Sequence, residues 1–320
     1  LAALAANWDV SDTLKLVVLM SRGTLSPQLE AAFDEVEYLD FPPTSRDLFH
    51  MVRRLEHCVD TFKPDVLSSH LFHADLVAAL ARTQVPKTTT VHTHGFGPGD
   101  HYLTKMIARA VGALSFRFAA VIPSSDSLDM QKFMSTLRMR RVTHPILNGA
   151  AIAESPRFNA SSRTFVSLAR AHPVKGHAVL FAAFARFSTQ FPDWNLRAAG
   201  PGVNLEDDSI RAAIDQSGAR SLLRSGRISL EGPTHHPEEF LENGSALIIS
   251  SLYGETLPLV GAEAAGLGIP VITTDVGNCA EFADDRQFVI EAGSVSAMEQ
   301  AMLSFARLTN EERQVLSNLA

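Results

Sequence analysis

The sequence predicts an α/β fold of two doubly wound, Rossmann-like domains facing each other across a cleft. Three observations predict it: short apolar strands alternate with helical patterns along nearly the whole chain, a polar stretch interrupts that rhythm near the middle, and 320 residues at 46% hydrophobic content suffice for two cores. The first half contributes strands at Leu14-Lys15-Leu16-Val17-Val18-Leu19, Val36-Glu37-Tyr38-Leu39, Val66-Leu67-Ser68-Ser69, Thr88-Thr89-Thr90-Val91 and Ala119-Ala120-Val121-Ile122. After the interruption the rhythm resumes at Phe165-Val166-Ser167-Leu168, Leu196-Arg197-Ala198-Ala199, Ile228-Ser229-Leu230, Leu247-Ile248-Ile249, Val271-Ile272 and Phe288-Val289-Ile290. The expected boundaries are an N-terminal domain over 1–150, a linker over 151–162 and a C-terminal domain over 163–320. No internal repeat or low-complexity tract competes with this division.

The segment from Ser251 to Val271 is the most informative. Ala246-Leu247-Ile248-Ile249 reads as a buried parallel strand, Gly254-Glu255 as the turn leaving its carboxyl end, and Thr256 with Pro258 as a helix start. Gly266 and Gly268 end that helix before the next strand. In such a unit the ligand crevice lies beyond the carboxyl ends of the strands, and a helix N-terminus offers free N–H groups to an anion. Glu255 then overlooks the crevice, with Glu263 about two turns further along the helix. A carboxylate in that position cannot hold phosphate, but it accepts strongly from hydroxyl groups, which points to a sugar. Taken alone, two glutamates on a helix are ordinary solvated residues; the ordered neighbours set this pair apart.

A second block lies far upstream. The strand at Phe165 is followed by Ala169-Arg170-Ala171-His172-Pro173-Val174-Lys175-Gly176-His177 and an amphipathic helix expected to reach about Phe191. Arg170 and Lys175 therefore share one loop between a strand and a helix, where two cations could converge on a diphosphate.

These residues resemble a known family, the retaining glycosyltransferases of the two-domain GT-B type and specifically the large group 4 family. Its order of a glutamate, seven residues and a second glutamate, then Gly-x-Pro-Val, Thr-x-Val-Gly and a further glutamate stands here as Glu255, Glu263, Gly268-Ile269-Pro270-Val271, Thr274-Asp275-Val276-Gly277 and Glu281. The resemblance implies that Glu255 contacts the donor sugar, that Gly254 and the backbone of Thr256 and Leu257 help to hold it, and that Glu263 binds the ribose of the nucleotide. It also implies that Arg170 and Lys175 neutralise the departing diphosphate, each contributing about 2.7–4 kcal/mol in the transition state. Weaker echoes lie in the first half: Lys63-Pro64-Asp65 through His70, Ser124 with Ser125 after a strand, and Leu147-Asn148-Gly149 near the domain junction. Family members open with a strand, a Gly-rich loop and a first helix, whereas Leu1 to Trp8 looks like the tail of that helix. The expectation is that the first strand and its loop are missing and that the last helix is cut short after Ala320.

Other features bound the function. The net charge of −7 and a pI near 5.9 give no electrostatic case for nucleic acid as a partner. Arg138, Arg140 and Arg141 cluster, as at many solvated helix ends. Two cysteines, Cys58 and Cys279, imply no disulfide framework and a reducing, cytoplasmic compartment. No signal peptide or apolar stretch of transmembrane length is visible, leaving at most a peripheral contact with the inner membrane face. Val91-His92-Thr93-His94-Gly95 places His-x-His at a strand end, a pattern that can bind a divalent metal in hydrolases through alternate side chains on one strand face. The resemblance instead puts a histidine at the cleft facing the donor sugar, where His94 fits better than His92, and a structural histidine hydrogen-bonded within the domain is a third reading of either. Gly95-Phe96-Gly97-Pro98-Gly99 fails the dinucleotide spacing because Asp100 occupies the last position, and it reads as a loop near the acceptor. His235-His236 reads as a loop on the nucleotide side.

The expected function is transfer of a sugar from a nucleotide diphospho-sugar to the hydroxyl of a glycan, a lipid-linked sugar or a small molecule. No residue stands out as a covalent nucleophile, which favours a front-face displacement. There is no Asp-x-Asp sequence, and arginine plus lysine can replace a metal at the diphosphate, so no cofactor or metal is expected. A sugar-nucleotide epimerase or hydrolase of the same fold, a His-x-His metal hydrolase and a non-catalytic binding module are the alternatives.

Overall fold

The computed structural model describes residues 5, 8–9, 11–23, 25–42, 44–97, 100–147, 149–150, 152, 157–234, 236–283 and 285–317. They fall into two compact units, one drawn from 1–92, 100–123 and 132–146, the other from 93–99, 124–131 and 147–320. Residues 151 and 153–156 of the expected linker lie outside the described residues, as do Asn148, Pro98, Gly99 and His235.

The first part of the chain runs β1 (Lys15–Val18), α1 (Ser26–Ala32), β2 (Glu35–Tyr38), α2 (Leu48–Phe62), β3 (Leu67–His70), α3 (Phe72–Leu80), β4 (Lys87–Val91), α4 (Tyr102–Leu114), β5 (Ala120–Pro123) and α5 (Leu128–Thr136). Asp47 caps α2 by accepting from the His50 N–H at 3.0 Å. Lys63 closes that helix in the left-handed conformation at φ 54, just before Pro64, which cannot extend it. Among the described residues the strands of the first unit form two parallel sheets, β1-β2 and β3-β4-β5, where one was expected. The β1-β2 pair is only half-buried and charged along one face. There Lys15 bridges Glu35 and, at 2.9 Å, Glu37.

The second unit continues with β6 (Thr164–Leu168), α6 (His177–Phe187), β7 (Asn195–Ala199), α7 (Asp208–Gln216), α8 (Arg220–Arg224), β8 (Ile228–Leu230), α9 (Pro237–Glu242), β9 (Ala246–Ile249), α10 (Leu259–Gly266), β10 (Val271–Thr274), β11 (Val289–Ile290), α11 (Val295–Arg307) and α12 (Asn310–Ser317). Its strands form one parallel sheet in the order β11-β10-β9-β6-β7-β8. The chain enters at β6, winds outward to β8, then returns to β9 on the other side of β6, so the winding reverses between β6 and β9.

Period-2 burial explains why both faces are covered. In β6 and β9, Phe165, Ala246 and Ile248 join one core with Phe181, Phe184 and Phe187 of α6 and Phe305 of α11. Their neighbours Val166, Leu247 and Ile249 join the opposite core with Leu241 of α9 and Ala264 of α10. Each fully buried phenylalanine contributes about 1.5–3 kcal/mol.

Two helix boundaries differ from the sequence reading. The helix after Gly176 ends at Phe187 rather than near Phe191, because Phe191 precedes Pro192 and a residue before proline is pushed off the helical region. Phe191 stacks on Phe187 instead, with ring centroids 5.2 Å apart. The helix expected from Thr256 begins at Leu259, with Pro258 capping it at φ −65 and ψ 124. Glu255 therefore stands in the loop ahead of α10, and only Glu263 rides on the helix, little more than a turn from its start.

Candidate active site

In a doubly wound sheet the strands on either side of a winding reversal send their carboxyl-end loops in opposite directions and open a crevice between them. In the second unit those loops are Ala169–Gly176 after β6 and Ser250–Pro258 after β9, the two blocks singled out in the sequence. Gly176 sits at φ 64, and a Cβ there would lie 2.0 Å from the Ser250 carbonyl oxygen. The Ser250 hydroxyl donates to the Lys175 carbonyl at 2.7 Å. Only glycine lets the loops approach this closely.

Lys175 and Glu255 thereby come together. Lys175 Nζ lies 2.5 Å from Glu255 Oε1, and Ser251 Oγ donates to the same oxygen at 2.6 Å. Glu255 is 8% exposed, so pairing with a cation and a hydroxyl offsets the cost of removing its charge from water. Both contacts fall on Oε1. Beside them lies a cavity of about 20 Å³ lined by Ser167, Ala169, Ser250, Ser251 and Pro258, room for about one water molecule. Arg170 is exposed and makes no ion pair among the described residues.

Around this pair the backbone is tightly fitted. Gly254 takes φ 79 beside Val174, and Thr256 and Leu257 are buried, with the Thr256 carbonyl accepting from the Asn278 N–H at 2.8 Å. Gly277, at φ 58, presses so closely on the Glu255 carbonyl that a Cβ would lie 1.9 Å from its oxygen and 3.0 Å from Cε1 of His94. Among the described residues, His94 Nδ1 is buried without a hydrogen-bond partner. Burial lowers the pKa of this ring against the opposing pull of Asp129 and Glu255, which favours the neutral imidazole. Glu263 is half-buried on α10, and burial, with Glu238 adding repulsion, raises its carboxyl above the usual range.

Asn278 organises a further polar cluster; the sequence pointed to its members Ser125 and Glu281 but not to Asn278 or Asp126. It is 5% exposed; its Nδ2 donates to Asp126 Oδ1 at 2.8 Å and to Glu281, and its Oδ1 accepts from Ser125. Ser251, which holds Glu255, was also missed, as was Tyr253, whose ring covers Gly97 so closely that a Cβ there would clash at 2.0 Å. Ser251 could have been found as a hydroxyl four residues before Glu255; the others carry no local signal. Of the weaker candidates, Ser124 is completely buried, and Asn148 lies outside the described residues.

The strand expected to carry the His-x-His stops short of it. β4 ends at Val91, so no strand continues to place His92 and His94 on one face. His92 Nε2 lies 3.0 Å from His70 Nδ1 within the first unit, and burial holds His70 down at about 4 and lowers His92 too. Among the described residues no group of three or more His, Cys, Asp or Glu side chains is arranged to hold a metal ion. Cys58 and Cys279 are buried free thiols pushed up to about 11 and about 12 by burial, far from the thiolate a nucleophile needs.

Fold and site define an α/β protein whose polar centre sits at the winding reversal of a parallel sheet. Residues 150–320 match the family described as glycosyl transferases group 1, and residues 2–142 match the glycosyl transferase 4-like domain. The chain belongs to the glycosyl transferases group 1 family. It is 31% identical over 121 residues to an exopolysaccharide phosphotransferase of Streptomyces coelicolor, an overlap covering 38% of this chain and 12% of that protein. It is 26% identical over 236 residues to the glycogen synthase of Mycobacterium tuberculosis, covering 69% of this chain and 54% of that one. The chain thus spans about half, or less, of the length of these relatives. Among solved structures, Anabaena HepE in complex with UDP and glucose superposes with a TM-score of 0.77 at 19% identity, over 95% of this chain and 85% of that one. The likeness shows the fold, an α/β architecture of the GT-B class. Among the described residues no helix is long and apolar enough to cross a membrane.

Proposed function

We propose that this protein transfers a sugar from a nucleotide diphospho-sugar to an acceptor hydroxyl with retention of anomeric configuration. The observation that carries the reading is the Lys175–Glu255–Ser251 cluster at the winding reversal, in a chain of the glycosyl transferases group 1 family. The UDP and glucose held by HepE support it.

In this reading the donor lies along the crevice of the second unit. Glu255 accepts from hydroxyls of the sugar through Oε2, and the backbone of Gly254, Thr256 and Leu257 lines the same pocket. The half-buried Glu263 carboxylate takes the ribose hydroxyls. His94 Nδ1, buried without a partner among the described residues, accepts a further sugar hydroxyl, relieving a desolvation cost of about 1–3 kcal/mol. As the bond between the anomeric carbon and the diphosphate oxygen breaks, negative charge grows on the diphosphate and Lys175 and Arg170 balance it. The acceptor oxygen bonds to the anomeric carbon on the face the diphosphate leaves, and its proton passes to the departing diphosphate. Two cations supply the charge a metal would otherwise bring, so turnover is expected to survive chelation.

The test incubates the protein with a panel of nucleotide diphospho-sugars and acceptor glycans in excess chelator, and follows products by mass spectrometry and anomeric NMR. An acceptor-dependent glycoside with the donor's anomeric configuration is expected. An inverted linkage would overturn retention, activity that needs added metal would overturn metal independence, and acceptor-independent epimerisation or hydrolysis would replace the function.

A further inference from the structure

A cavity of about 930 Å³ opens in the first unit at the amino ends of β3, β4 and β5, the opposite end of that sheet from His70 and His92. Its ionisable lining is Lys63, Arg82, Lys87, Arg117, Arg141 and a single carboxylate, Asp60. None of the five cations makes an ion pair with a carboxylate among the described residues. In a chain of net charge −7 this is a strong local departure.

Lys87 is the innermost of them. It is 7% exposed, and its Nζ donates to the Ala78 and Ala81 carbonyls at 3.1 and 3.0 Å, at the carboxyl end of α3. Two of the three ammonium protons are thus used to fix the side chain, and the third remains for a ligand. Burial, and after it the charge of Arg117, pulls its pKa down. Arg82, Arg117 and Arg141 stand exposed around the opening, and Arg141 is steadied by donating to the Phe118 carbonyl at 3.2 Å. Guanidinium forks of this kind match phosphate oxygens in pairs.

We infer that this cavity is a binding site, separate from the donor crevice, for a ligand presenting two phosphate groups. A terminal phosphate carries about −1.5 to −2 charges near neutral pH and a phosphodiester about −1, so two phosphates supply about −2 to −4 against the excess of cations over Asp60. The same chemistry is offered by a free di- or polyphosphate and by a diphosphorylated lipid headgroup.

The experiment measures tripolyphosphate binding by calorimetry with saturating UDP present, and cosedimentation with vesicles of phosphatidylcholine containing cardiolipin. Both are read for the parent, for Arg82→Glu combined with Arg117→Glu, and for Lys175→Ala. The charge-reversed residues are exposed, and an unchanged melting temperature checks the fold. Binding of either probe that falls at least tenfold in the double variant and is unchanged in Lys175→Ala supports the site, and the probe that binds identifies the source of the phosphates. No binding of either probe, or binding indifferent to the double reversal, overturns it. Loss of binding in Lys175→Ala alone would assign the anion to the donor crevice and also overturn the inference, leaving the glycosyl-transfer reading intact.

Discussion

At the carboxyl ends of β3 and β4, the first unit holds its polar side chains by hydrogen bonds: His70 Nδ1 lies 3.0 Å from His92 Nε2, and Asp75 accepts from the Ser69 hydroxyl at 2.8 Å. At the carboxyl ends of β6 and β9, the second unit buries Glu255 as an ion pair with Lys175. Burial pushes Asp75 up to about 6, with the Ser69 hydrogen bond pulling back. A carboxylate buried beside hydroxyls can keep its proton close to neutral pH, whereas one buried beside an ammonium has a partner that rewards ionisation. The first arrangement holds its polar groups by hydrogen bonds; the second holds an aligned pair of opposite charges, which the proposed donor would meet.

The largest test of this contrast removes the second unit's pair. Lys175→Ala should lower turnover by about 10²–10³-fold, the range seen when one transition-state donor is lost, and should also lower the melting temperature, because Glu255 is left buried without its cation. Steady-state kinetics on an active donor and acceptor pair measures it, and turnover equal to the parent's would show that the pair is only structural.

Asp75→Asn probes the first unit. The folded carboxyl at about 6 lies above the ordinary aspartate value of 3.8, so between these pH values the folded state binds more protons than the unfolded state and stability falls as pH rises. The variant lacks this penalty. It should gain on the order of 3 kcal/mol at pH 8 relative to its difference from the parent at pH 4, since each pKa unit is worth about 1.4 kcal/mol. Urea unfolding at the two pH values is the measurement, and a difference that does not change with pH would refute the shift.

A third variant stays in the second unit. Glu263→Gln should weaken nucleotide binding by roughly one to two orders of magnitude, as a charged hydrogen bond contributes about 1.5–3 kcal/mol. Because burial raises this carboxyl, the parent's affinity should begin to fall at a higher pH than an exposed glutamate would cause, while the variant shows no such step. Calorimetry across pH 4 to 7 reads both.

The smallest effect concerns Ser69→Ala, which removes the hydroxyl that favours ionised Asp75. It should raise the Asp75 carboxyl further and cost about 0.5–1.5 kcal/mol, more at neutral than at acid pH. Carboxyl-carbon NMR titration gives the direction, and a downward movement would contradict the assigned cause.

Much of this arrangement was legible in the sequence, because local signals carry strands and loops. The run at Ala246–Ile249 and its turn at Gly254 were read correctly, as was the strand ahead of Arg170. Thr256 and Pro258 misled because each favours a helix start, yet Leu257 precedes proline and is held out of the helix, so the start moved to Leu259. The pairing of Lys175 with Glu255 could not be read, since it depends on the sheet placing β6 beside β9 across 80 positions. Ser125 was noticed after its strand, but its pairing with Asn278, 153 positions away, was illegible for the same reason. The cationic cavity escaped because its residues are scattered over several loops, while the visible run Arg138-Met139-Arg140-Arg141 contributes only Arg141.

The contact of Gly176 with the Ser250 carbonyl bears on how this protein could be re-engineered. A graft that brings a foreign version of residues 250–258 must also bring a compatible 172–176, because a shift of a few tenths of an ångström in one backbone drives it into the other. The two loops are therefore inherited together as a cassette. Libraries that vary both segments together should yield folded variants at positions where single-loop libraries yield almost none.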